Sequence, residues 1–268
     1  MKRKKIYTVF PEGKYKALTL SYDDGREEDR RLVSIFRKYG LKATFNLNSG
    51  LPAGDPRRIG IEEWPDLYKG FEVAAHTVTH PTISRCPLSV VAEEILEDRK
   101  ALEEIFSYPI RGLAYPNGSY TEEIVKMLPS LGISYARVVG NTDDFEIPED
   151  FLTWKATCHH NHNLMENAEA FVNFSKPQYL KLMYVWGHSY EFTDYGNWDL
   201  IERFAETVSG KDEIWYATNI EIVDYLEASK RLIFSADRSM VYNPFAIDLW
   251  ITVDDIPMMI PGGKTIEL

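Results

Sequence analysis

Ser21-Tyr22-Asp23-Asp24-Gly25 closes an alternating, leucine-rich run that starts at Ala17, so a predicted strand stops on two adjacent carboxylates. Successive side chains of a strand face opposite ways, which sends Asp23 and Asp24 in different directions and lets them do different work. Gly25 supplies the tight exit. Asp-Gly is also a common turn dipeptide, and on these five residues alone a plain turn is the simpler reading. What the chain places after its other strands decides against it.

Downstream, residues 27–39 carry Leu32, Ile35, Phe36 and Tyr39 at helical spacing among charges, with Gly40 as the stop. Strands are predicted at 42–48, 71–75, 110–114, 133–138, 151–156, 179–186 and 214–217. Helices are predicted at 62–69, 88–106, 121–128 (Thr121 as N-cap), 198–208 and 221–230. This alternation favours a parallel sheet or β/α barrel over a sandwich. From Leu232 the pattern changes: Ile247, Leu249, Ile251 and Val253 alternate with polar or amphipathic neighbours, and turn signals stand at Asn243-Pro244 and Pro261-Gly262-Gly263. The expectation is a barrel over residues 1–231 and a small β appendage over 232–268, packed on the barrel or on a partner subunit.

Composition narrows the function. The 268 residues include 30 basic and 41 acidic side chains, a net charge of −11, and beyond the start, Lys2-Arg3-Lys4-Lys5, no basic stripe stands out. That argues against nucleic acid as a partner. No apolar run reaches the length of a membrane span, and the run after the basic start is too short for a signal-peptide core. A cytoplasmic protein is expected, with homo-oligomerisation left open. Cys86 and Cys158 form no CxxC pattern, so neither a disulfide framework nor a cysteine zinc site is expected.

The third predicted strand runs into His76-Thr77-Val78-Thr79-His80-Pro81. Two histidines four apart share one side of a helical turn and can reach one ion. With a carboxylate from the first strand end they make a facial set that leaves positions for water and substrate, and suits zinc, iron(II), manganese or cobalt. Two further strands end in Tyr115-Pro116-Asn117-Gly118, a turn that can line a pocket, and in Trp186-Gly187-His188. In a β/α barrel such ends converge on one mouth. Cys158-His159-His160-Asn161-His162 is also rich in ligand types. Adjacent histidines on a strand face opposite ways, so this stretch reads as a loop over the mouth, with one histidine touching substrate, rather than as a second metal site.

Taken together, SYDDG, HTVTH, AYPNG and VWGH resemble the motifs of the polysaccharide deacetylases, the NodB-like carbohydrate esterases, in their usual order. The resemblance implies an α/β fold, a distorted (β/α) barrel. It further implies one divalent metal held by Asp24, His76 and His80, zinc first among the candidates, with Asp23 as catalytic base and His188 as catalytic acid. An acetylated sugar is the implied substrate. Hydrolysis of a small amide such as a cyclic ureide, or a carbohydrate-binding relative without activity, are the alternatives on the same fold. Tyr115, Pro116, Asn117, Gly118, Arg137 and Trp186 are expected to bind substrate or support the site, with the backbone N–H of Tyr115 or a neighbour receiving the oxyanion.

The chain departs from the family pattern in three places. Ala114 stands where an arginine is usual, Asn117 where a tyrosine is usual, and the aspartate-tryptophan motif is only echoed by Asp143-Asp144-Phe145. The absent arginine normally steadies the catalytic aspartate. Arg111 points to the opposite strand face, whereas Arg137 stands near the end of the next strand and is either an ordinary surface or lid-contacting arginine or the substitute, paired with Asp23.

Overall fold

A computed structural model of the chain describes residues 4–52 and 54–268; Lys2 and Arg3 of the basic start lie outside them. In chain order the strands are β1 (Ile6–Val9), β2 (Lys16–Asp23), β3 (Thr44–Leu47), β4 (Glu72–Ala75), β5 (Gly112–Ala114), β6 (Tyr135–Asn141), β7 (Trp154–Ala156), β8 (Cys158–His159), β9 (Lys181–Gly187), β10 (Ile214–Tyr216), β11 (Ile233–Phe234), β12 (Met240–Tyr242), β13 (Leu249–Val253), β14 (Ile256–Ile260) and β15 (Thr265–Glu267). The helices are α1 (Asp29–Tyr39), α2 (Trp64–Leu67), α3 (Leu88–Phe106), α4 (Glu122–Met127), α5 (Leu164–Asn173), α6 (Ser189–Asp194), α7 (Trp198–Val208) and α8 (Asn219–Ser229).

β2 is buried along its whole length and carries the sheet, pairing in parallel with β3, β9 and β10. The nine strands run in the order β7-β6-β5-β4-β3-β2-β9-β8, with β10 alongside β2, and every pairing among them is parallel. Parallel strands need long crossovers, which the helices supply, so both faces of the sheet are covered; the outer face is apolar, while Thr19, Ser21, Asp23, Thr44, Asn46 and Glu72 put buried polar groups on the other. The result is a distorted (β/α) barrel, with the C-terminal ends of its strands at one mouth. α1 shows why its sequence forms a helix: Leu32, Val33, Ile35 and Phe36 are buried, Arg37 and Lys38 occupy the last turn, and Gly40 ends it at φ 65°. Thr121 caps α4 by accepting from the Ile124 N–H, and a Thr218–Glu221 capping box opens α8.

Opposite the mouth, the barrel interior is closed by polar groups that satisfy one another. Glu72 accepts from Thr44 Oγ1 (2.8 Å), Tyr135 Oη (2.7 Å) and the Ile220 N–H (2.9 Å), while Asn219 donates to Tyr184 Oη at 2.8 Å. This network pins the start of α8 beneath the sheet. Burial pushes the Glu72 carboxyl up to about 7, against the opposing pull of its donors.

The chain differs from the sequence expectation at identifiable points. The expected helix over 62–69 is a 3₁₀ turn, Ile61–Glu63, followed by the short α2, because Pro65 cannot extend a helix from its N-terminal side. α5 and α6 lie where the sequence predicts no element. β1 pairs antiparallel with β13, so the start of the chain lies on the sheet β1-β13-β14, and β11-β12-β15 forms a second small sheet. Val241, Ile251 and Ile260 make a small core there, and Tyr225 Oη of α8 ties it to the barrel, donating to Val9 O and accepting the Trp250 N–H. Among the described residues no helix is long and apolar enough to cross a membrane, and both cysteines are free.

Candidate active site

Asp23 is the last residue of β2, with its side chain buried among polar groups at the barrel mouth. Asn46, which β3 places alongside, donates to Asp23 Oδ1 at 2.7 Å. Arg137 of β6 holds Oδ2, its side chain only 1% exposed and its guanidinium carbon 4.4 Å from the Trp186 ring centre. Burial by itself would raise the Asp23 carboxyl. Arg137, His76, His188 and the Asn46 hydrogen bond together outweigh it and hold the group below the ordinary carboxylate range. Arg111 points elsewhere, to Asp224 on α8, in a bidentate pair at 2.8 and 2.6 Å.

Asp24 follows at φ 83°, an unusual backbone for a residue other than glycine, and turns away from Asp23. Its partners in the pocket are His76 and His80, and one donor atom from each of the three lies within 4.8 Å of the others. The two histidines do not sit on a helical turn. The chain after β4 is irregular, and left-handed backbone at Thr77 (φ 66°) and His80 (φ 56°) folds His80 back beside His76, their ring centres 4.6 Å apart. Three contacts fix this loop: Thr77 Oγ1 accepts the His80 N–H, and Asn48 Nδ2 donates to the carbonyls of His76 and Thr77. Asp98, buried on α3, accepts the N–H groups of His76 and Ser49. Burial raises the Asp98 carboxyl to about 6 despite these donors.

The His76 ring shows its own tautomer. Nδ1 lies 2.8 Å from Ala114 O, which can only accept, so Nδ1 carries the proton and Nε2 presents its lone pair to the pocket. Burial lowers the ring to about 4, which keeps it neutral at ordinary pH. A neutral imidazole with a free Nε2, a second histidine and a carboxylate fit a divalent cation of the zinc type. Arg58 comes within 3.7 Å of Asp24 Oδ1 and also donates to the Asp24 carbonyl.

Across the mouth, His188 follows β9 and is the N-cap of α6. Its Nε2 lies 3.8 Å from Asp23 Oδ2, and its Nδ1 lies 3.4 Å from Glu191 Oε1. Burial would lower the imidazole, but Glu191 first, then Asp23 and Asp24, turn the balance upward. Glu191 is absent from the sequence expectation, although its position three residues after a helix N-cap was a usable signal. The aspartate echo does not take that role: Asp143 pairs with His162 at 2.8 Å and with Asn167 at 3.0 Å.

These groups line a pocket of about 350 Å³ together with Tyr115, Asn117, Gly118, Val139, Trp186 and Tyr190. Two expectations change. Pro116 is buried behind the rim and does not line the pocket, and the Tyr115 N–H is taken by Arg137 O at 3.0 Å in the sheet ladder, so it has no free donor. Asn117, which lines the pocket, adopts φ 55°, a backbone that its short polar side chain tolerates. Of the aromatic residues near the His188 motif, Trp186 and Tyr190 line the pocket, while Trp198 packs on Phe192 and Arg31. His159 and His160 also reach the rear of this region, each with Nε2 3.0 Å from Glu191 Oε2.

Comparison with known proteins agrees with this architecture. Residues 11–136 match the family model described as polysaccharide deacetylase. A chitooligosaccharide deacetylase of Bradyrhizobium is 26% identical over 122 residues, 44% of this chain and 54% of that protein. A chitooligosaccharide deacetylase of Rhizobium leguminosarum is 31% identical over 116 residues, 41% of this chain and 48% of that one. The chain thus spans about half the length of the curated relatives it matches. A Mycobacterium smegmatis protein solved as a candidate polysaccharide deacetylase superposes with a TM-score of 0.62 at 16% identity, over 83% of this chain and 93% of that one, which is a likeness of fold.

Proposed function

We propose that this chain, which belongs to the polysaccharide deacetylase family, removes acetyl groups from an N- or O-acetylated carbohydrate by direct attack of water. The observation that carries the reading is the division of the strand-end pair. Asp24 shares a ligand-spaced set with His76 and His80, while Asp23, held anionic by Arg137 and Asn46, faces the same pocket from the other side. Asp24, His76 and His80 would hold a divalent metal, zinc by its donor set, and when bound it would supply Lewis acidity toward the acyl oxygen and a more nucleophilic water at neutral pH. Asp23 takes the proton from the attacking water, a role for which its lowered pKa keeps it unprotonated. With the Tyr115 N–H taken, the neighbouring N–H of Asn117, on the pocket wall, would receive the developing oxyanion.

His188 completes the reaction from the opposite side. Glu191 beside Nδ1 favours the imidazolium, so Nε2–H is available to protonate the leaving nitrogen or oxygen, and no acyl-enzyme is needed. Trp186 and Tyr190 give the pocket aromatic walls suited to a sugar ring. The test is acetate release from a panel of acetylated oligosaccharides and small amides, with and without added zinc, manganese or cobalt. Metal-stimulated release from the saccharides supports the reading; release confined to the small amides, or none from any, overturns it.

A further inference from the structure

The chain that leaves Asp24 is paired at once with a second segment. The Ile59 N–H donates to Gly25 O and the Glu27 N–H to Arg57 O, each at 3.1 Å, and Arg26 and Arg58 stand opposite one another in an antiparallel bridge. Arg58, in the middle of this short ladder, is thereby delivered to the Asp24 side of the mouth, where its side chain is only 11% exposed.

Its guanidinium meets two loops there. Nη1 donates to the Asp24 carbonyl and, at 3.4 Å, to Asn48 Oδ1, while Nη2 lies 3.7 Å from Asp24 Oδ1. Asn48 passes the link on, because Nδ2 of the same amide donates to His76 O at 2.6 Å and to Thr77 O at 3.0 Å. A planar guanidinium holds several acceptors in fixed directions, which a lysine ammonium on its flexible stem does not. Asp24 needs such a hold: φ 83° is a backbone that a residue with a side chain adopts only where its surroundings over-determine it. Arg58 is itself anchored, with Nε 3.8 Å from Asp55 Oδ2, an oxygen that also accepts from Arg26 at 3.3 Å and from Arg57 at 3.1 Å.

Charge works the other way. A cation beside a carboxylate that is to receive a divalent ion repels that ion, so the sign of the effect of removing Arg58 tells placement from repulsion.

We propose that Arg58 is a positioning residue of the metal site: through Asn48 it joins the Asp24 backbone to the loop that carries His76 and His80, and so presets all three ligands. The inference rests on the metal set of the proposed function and deepens it by naming what holds that set together.

Zinc affinity of the full chain, read by competition with a chromophoric chelator, tests this without any substrate. Arg58→Met should bind zinc about ten- to a hundredfold more weakly, the usual cost of removing a group that orients a metal ligand. Arg58→Lys, which keeps the charge and loses the fork, should recover only part of that loss; it keeps the test decisive if Arg58→Met does not fold. Asn48→Ala should also weaken zinc, and the loss in the Arg58→Met/Asn48→Ala double variant should fall short of the product of the two single losses, because both act along one link. Unchanged or tighter zinc binding in Arg58→Met, a lysine variant equal to wild type, or single losses that simply multiply would each overturn the role of Arg58. A wild type that takes up no zinc would overturn the metal reading and this inference with it, whereas one zinc on the wild type with unaltered affinity in the variants would overturn the inference alone.

Discussion

Asp24, His76 and His80 on one side of the mouth, and His159, His160 and Glu191 on the other, are both sets of two imidazoles and one carboxylate whose ligand-type atoms lie within 4.8 Å of one another. Their outer partners differ. At His76 a backbone carbonyl takes the Nδ1 proton and frees Nε2; at His159 a backbone N–H occupies Nδ1 and commits Nε2 to donating. The His76 ring turns a lone pair toward the pocket, whereas the neutral His159 ring carries its proton on the nitrogen nearer Glu191. Residue types do not separate the two sets, whereas the direction of the Nδ1 hydrogen bond at His76 and at His159 does.

Breaking the first set should have the largest effect. His76→Ala is expected to abolish both metal retention and turnover, measured by elemental analysis and acetate release; a variant that keeps stoichiometric metal would remove His76 from the ligands. Asp23→Asn should keep the metal and lose turnover by roughly 10²–10⁴-fold, the range for loss of a general base. A metal-free Asp23→Asn protein would show the pair to be divided differently.

Arg137→Ala comes next, with metal retained and turnover lower by at least about tenfold. The base works ionised, so activity falls as pH drops through the Asp23 pKa. Burial raises that pKa and Arg137 is the strongest influence lowering it; its removal should move the acidic limb of the pH–rate profile upward. Arg111→Ala, which loses a pair with Asp224 on the outer face, should leave that limb in place. Equal profiles for wild type and Arg137→Ala would contradict the pairing's role.

The smallest of these effects sharpens the second set. In Glu191→Gln the imidazolium of His188 loses the partner that raises its pKa, so the alkaline limb, where the acid is lost as pH rises, should shift to lower pH. The drop in kcat near neutrality should be about tenfold, with one metal still bound. An unmoved alkaline limb would detach Glu191 from His188.

Much of this was legible in the sequence because each strand ends on a punctuated polar motif, and α3, α7 and the β2 motif stand where their periodicity puts them. The helical reading of HTVTH failed because spacing cannot reveal left-handed backbone at Thr77 and His80. The Tyr115 N–H could not be read as unavailable without the register that pairs β5 with β6. Some supporting residues did leave a trace: Asp98 falls on the apolar face of α3 with Val91, Ile95 and Leu102, and Asn46 and Asn48 alternate with Phe45 and Leu47 at a buried strand end. A charged or amide side chain in a core position needs a partner, and here the partners are the loop and base of the site. His159, His160 and Glu191 were hidden for a different reason. Adjacent histidines face opposite ways only while the strand continues, and β8 ends at His159.

The central claim is that of two sets with one composition only Asp24, His76 and His80 hold a metal, and counting metal tests it most directly. Wild type, His80→Ala and His159→Ala would be loaded with excess zinc, dialysed, and analysed for zinc per chain. The account predicts one, none and one. Two in the wild type, falling to one in each variant, would contradict it.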